Sequence, residues 1–60
     1  MAPIYRVLLG GIHSIKDTYD YEEAKAHFLI WVEELTHENV SYKSVTLTKD
    51  HEPVLEYVKK

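Results

Sequence analysis

The sequence predicts a two-layer α+β domain, β-α-β-β in order, with one long helix packed on one face of a three-stranded mixed sheet. Three observations carry that expectation. Residues 4–9, IYRVLL, are β-branched, aromatic and apolar, and they stop at Gly10-Gly11. Between Tyr21 and Leu35 the apolar residues recur at the 3.6-residue period of a helix. Residues 42–49 and 54–59 then flank a DHEP segment rich in turn formers.

The first strand is residues 4–9. Residues 10–19 hold two glycines, His13, Ser14 and Lys16 without a sustained period and read as a loop, tethered to the core by Ile12 and Ile15. Asp20 with Glu23 three positions on forms a capping-box start, and Glu22 and Glu23 favour the positive end of the helix dipole. The helix is expected over residues 21–38, with Asn39 as a left-handed C-cap. Tyr21, Ala24, Phe28, Trp31, Val32 and Leu35 fall within one arc about 100° wide, the stripe a helix lays on a sheet. The second strand, 42–49, turns Val45 and Leu47 inward and Ser44, Thr46 and Thr48 outward; Pro53 stands at the entrance of the third, 54–59, where a missing amide donor does least harm. A crossover through the helix makes the first two strands parallel, and the final hairpin makes the third antiparallel to the second.

Sixty residues, 45% hydrophobic and 28% charged, make one folded domain over 1–60 and exclude a disordered chain. With no cysteine there is no disulfide framework, thiolate zinc site or nucleophilic thiol. No apolar run approaches the roughly 18 residues of a membrane span, so the expectation is a cytoplasmic protein without a membrane partner. A chain this short buries a thin core, and a second copy is the natural source of further burial. The uncovered sheet face would carry Ile4, Leu8, Tyr42, Val54 and Val58, and these are the expected homodimer interface.

Charge is unevenly spread. Asp17, Asp20, Glu22, Glu23, Glu33, Glu34 and Glu38 face only Lys25 in the middle of the chain, whereas Arg6, Lys16, Lys43, Lys49, Lys59 and Lys60 lie toward its ends. On the helix, Glu23, His27, Glu34 and Glu38 share a narrow flank bordered by Trp31, and Ile30, with Leu29, is apolar on the side expected to face water. Glu23, His27, Ile30, Trp31, Glu34 and Glu38 are therefore the candidate partner-binding residues, an acidic and aromatic edge suited to a basic site on another protein. The function expected is a small non-enzymatic inhibitor or adaptor, of the kind viruses and mobile elements encode, that occupies a partner protein's site through this flank or the open sheet face. The alternative is a dimeric nucleic-acid-binding or regulatory module pooling Arg6, Lys43, Lys49, Lys59 and Lys60.

Catalytic chemistry finds little to build on. Glu23 with His27 and Glu33 with His37 are i,i+4 pairs, each giving two ligands where a closed zinc site needs four, so no metal or other cofactor is expected. Ser14 stands beside His13, but GGIHS is not a nucleophile elbow. Gly10-Gly11 lacks the lysine and hydroxyl of a phosphate loop, and the helix that follows opens with acids. An enzyme would require a site shared between subunits around His13 and His51. In outline the amino-terminal residues, strand, helix and next strand resemble the small tautomerases, whose general base is an amino-terminal proline. Here Ala2 precedes Pro3, whose nitrogen is then an amide.

Overall fold

The computed structural model describes residues 2–37 and 41–59. The chain forms β1 (Tyr5–Leu9), β2 (His13–Thr18), α1 (Tyr21–Leu35), β3 (Ser44–Lys49) and β4 (Glu52–Val58). One helix packs on one face of the sheet, as the sequence predicts, but the sheet has four strands, not three, in the order β2-β1-β3-β4.

The fourth strand comes from the segment read as a loop. Gly10 (φ 64°) and Gly11 (φ 79°) both occupy the left-handed region that a tight hairpin turn demands, so the chain reverses there and residues 13–18 pair antiparallel with β1. That strand changes the sense of the pairing across the helix and leaves the final hairpin as expected. β3 is antiparallel to β1, not parallel, and β4 is antiparallel to β3, so each neighbouring pair in the sheet is antiparallel. The helix links β2 to β3, which do run the same way, and β1 lies between them. The crossover expectation thus holds for a different pair of strands, and β4 takes an edge.

A bulge between Val7 and Leu8 gives β2 an extra residue and sets its faces. Ile15 turns to the core and Lys16, opposite Val7, lies on the helix side, while Ser14 and Asp17, opposite Leu8 and Arg6, lie on the other. Ile12 was expected to tether this segment. It stands at the hairpin tip and is 89% exposed.

Asp20 caps α1 through its carboxylate, which accepts from Glu22 N at 3.0 Å. The capping box does not close: Asp20 N donates to Thr18 Oγ1, and Glu23 pairs with Lys16 Nζ at 3.1 Å. The helix ends at Leu35 with Thr36 as its cap, short of the expected residue 38. Asn39, the expected C-cap, lies outside the described residues. Between the layers, Val7, Leu9, Ala24, Phe28, Leu35, Val45 and Leu47 are buried together, with Tyr21, Trp31, Val32, Leu55 and Tyr57 packed around them.

Candidate partner-binding surfaces

Two surfaces remain open once the helix and sheet have closed on each other. The first is the outward side of α1. At 100° per residue Ala26 and Ile30 point away from Phe28, with Leu29 on one shoulder. Leu29 is 53% and Ile30 55% exposed, large apolar side chains on a helix whose opposite side already supplies the core. Glu22 and Glu33 border them on the Leu29 side and Glu23 and Glu34 on the other; all four are exposed. Lys16 neutralises Glu23, whose carboxyl is held below its ordinary range chiefly by the Lys16 hydrogen bond and then by the Thr18 hydroxyl. Among the described residues no ion pair reaches Glu22, Glu33 or Glu34.

Of the residues singled out in the sequence, Glu23, Ile30 and Glu34 therefore meet on this surface. His27 is half-buried at its margin, and Trp31 is half-buried and packed against the core. Glu38 lies outside the described residues. Leu29 belongs in the set, and its signal was the same as that of Ile30: a large apolar side chain off the core stripe.

The second surface is the uncovered sheet face. Alternation along the paired strands places Ile4, Arg6 and Leu8 there, beside Ser14 and Asp17 of β2, Ser44, Thr46 and Thr48 of β3, and Glu56 and Val58 of β4. Val54 is the extra residue of a bulge at the β4 edge. Tyr42, expected on this face, lies before β3 and packs against the core. Its ring stacks on His13 with centroids 5.9 Å apart and would meet a Cβ on Gly10 at 3.4 Å. Burial against the core and stacking on His13 draw it there.

Several polar groups of the sheet face pair with one another. Arg6 Nε donates to Asp17 Oδ1 at 2.9 Å, Ser14 Oγ donates to the same oxygen at 2.9 Å, Thr46 Oγ1 donates to Glu56 Oε2 and Thr48 Oγ1 to the Arg6 carbonyl. The Ser14 hydrogen bond above all, with the Arg6 guanidinium, holds the Asp17 carboxyl below its ordinary value of 3.8.

The remaining candidates do not converge. His13 opens β2 at the Gly10 end of the sheet and His51 lies in the β3–β4 turn at the other. No group of three or more metal-ligating side chains gathers among the described residues, and no helix there is long and apolar enough to cross a membrane. Lys43 and Lys49 bracket β3 at opposite ends, and Lys59 Nζ donates to the His37 carbonyl. Comparison with protein-family models, with curated proteins and with solved structures finds no match to this chain.

Proposed function

We propose that this protein acts by binding another protein through the outward side of α1, and that the partner presents an apolar groove with a basic rim. The observation that carries the reading is the pair Leu29 and Ile30, each more than half exposed and ringed by Glu22, Glu33 and Glu34. Exposed apolar surface rimmed by polar groups marks a contact site, and acids at the rim select a cationic partner and speed its approach. Fully burying a Leu or Ile side chain is worth about 1.5–3 kcal/mol, so covering the open half of each adds about 1 kcal/mol. The pair together then contributes about 2 kcal/mol, roughly thirtyfold in affinity. The activity is steric, as in an inhibitor or adaptor that occupies a site.

The test uses a synthetic amphipathic helix of leucine and lysine, 18 residues long, with a leucine and glutamate peptide as its counterpart. Binding is followed by calorimetry and by the fluorescence of Trp31, the single tryptophan. The lysine peptide should bind, more weakly as salt rises, and Ile30→Asp should reduce its affinity by at least about fivefold, the share of Ile30 in the figure above; the glutamate peptide should not bind. Equal affinity for both peptides, or no binding of the lysine peptide at low salt, overturns the reading.

A further inference from the structure

We propose that the uncovered face of the sheet is a self-association surface, on which a second copy of this chain packs sheet to sheet. Three observations select that occupant. The first is the cost of drying the face. Thr46 and Thr48, at its centre, are already 6% and 7% exposed, and Arg6, Asp17, Ser14, Thr46, Thr48 and Glu56 hydrogen-bond among themselves. Each of these side chains already holds one internal partner, which lowers the cost of covering it. Among the described residues no buried side-chain polar atom lacks a partner.

The second is charge. Arg6 and Asp17 cancel, leaving Glu56 alone, so two copies meet here with little repulsion. On the opposite side of the molecule the rim acids of α1 would face their own copies, which disfavours a helix-to-helix dimer. A nearly neutral plate offers a charged foreign partner nothing to select, whereas it matches itself.

The third is size. Four strands about 4.8 Å apart, each about six residues of 3.3 Å, make a plate of roughly 19 by 20 Å, on the order of 500 Å² of accessible surface once side-chain relief is included. Two copies then bury about 1,000 Å², at the lower limit for a specific interface. Ile4, Leu8 and the 58% exposed Val58 supply its apolar contacts, and two sheets so stacked lie about 10 Å apart. An interface of that size belongs to reversible dimers, not obligate ones.

Sedimentation velocity of the full chain from about 5 µM to 1 mM tests this. The expected result is a monomer–dimer equilibrium that Val58→Lys and Leu8→Thr each weaken at least tenfold and that Ile30→Asp leaves unchanged, with circular dichroism confirming that each variant is folded. Val58 is exposed, so its substitution does not threaten the core. A chain still monomeric at 1 mM overturns the proposal, as does a dimer indifferent to Val58→Lys or abolished by Ile30→Asp. The helix reading stands or falls separately on the peptide titration.

Discussion

Replacing Trp31 with Ala separates a side chain that builds the fold from one that meets a partner. Trp31 lies at the edge of the core stripe, half-buried, packed against the cluster of Val7, Leu9, Phe28, Val45 and Leu47. A fully buried Trp truncated to Ala costs about 3–5 kcal/mol. With part of the ring in water here, and with the helix free to settle into the vacated edge, the expected loss is about 2–4 kcal/mol. In a domain of this length each kcal/mol moves the melting temperature by roughly 4–8 °C, so the midpoint should fall by about 12–24 °C for a loss near 3 kcal/mol. Urea unfolding followed by far-ultraviolet circular dichroism measures it, since the variant has no tryptophan to report. Trp31→Phe keeps the ring in the core and should lose about 1 kcal/mol. A loss below about 0.5 kcal/mol for Trp31→Ala, together with abolished peptide binding, would refute the packing argument and move Trp31 to the contact surface.

Three further outcomes follow from local geometry. The Asp17 carboxyl is held below 3.8 by Ser14 and Arg6, so its contribution to stability is complete above the ordinary aspartate range and is lost as pH falls through the lowered value. Ser14→Ala should flatten that acid limb of the stability–pH curve, measured by urea midpoints between pH 2 and 5, and an unchanged limb would remove the hydrogen bond from the account. Gly11→Ala should cost about 1–2 kcal/mol from its positive φ alone, because nothing lies near the new methyl. Gly10→Ala should cost at least as much and also disturb the Tyr42 ring, visible as a change in the Tyr42 and His13 proton shifts; equal shifts in both variants would argue against that contact.

The helix was legible because its stripe is long and its cap explicit: Tyr21, Ala24, Phe28 and Leu35 repeat through four turns behind Asp20, and propensity, period and capping agree. β3 was legible from Val45 and Leu47 alternating with threonines. β2 was not, for reasons the structure makes plain. It is an edge strand, HSIKDT, and edges are kept short, charged and bulged against unwanted pairing. Its bulge places Ile15 and Lys16 on one side in succession, so the period of two that announces a strand is broken at its only apolar residue. The one available signal was Gly10-Gly11, a hairpin turn as much as a terminator. Once β2 is missed, the sense of β3 against β1 must come out wrong, because the crossover is assigned to the wrong starting strand. On the outward side of α1, Ile30 and Leu29 were visible by elimination from the core stripe. The neutrality of the sheet face was not, since Arg6, Asp17 and Ser14 meet only through that missing strand.

The same pairings decide how the chain treats nucleic acid. Along the sequence the charges divide into an acidic middle and basic ends; in the fold they divide by layer. Asp20 and α1 carry Glu22, Glu23, Glu33 and Glu34 against Lys25, and the strands and their connections carry Arg6, Lys16, Lys43, Lys49 and Lys59 against Asp17, Asp50, Glu52 and Glu56. The strand layer is therefore close to neutral, and two of its five cations are ion-paired, Arg6 with Asp17 and Lys16 with Glu23, while Lys43 and Lys59 lie at one end of the sheet and Lys49, opposite Glu52 in the β3–β4 ladder, at the other. Binding that depends on phosphate neutralisation needs several free cations on one face, and its strength falls by about 0.9 decades per phosphate for each decade of salt. With at most two such cations at either end of the sheet, the chain should show no measurable affinity for a 20-base-pair duplex even at 20 mM salt, by fluorescence anisotropy to 100 µM protein. Micromolar binding with a steep salt slope would mean that two copies bring Lys43 and Lys49 together, and the acidic helix would then be the side turned away from the ligand instead of the side that meets it.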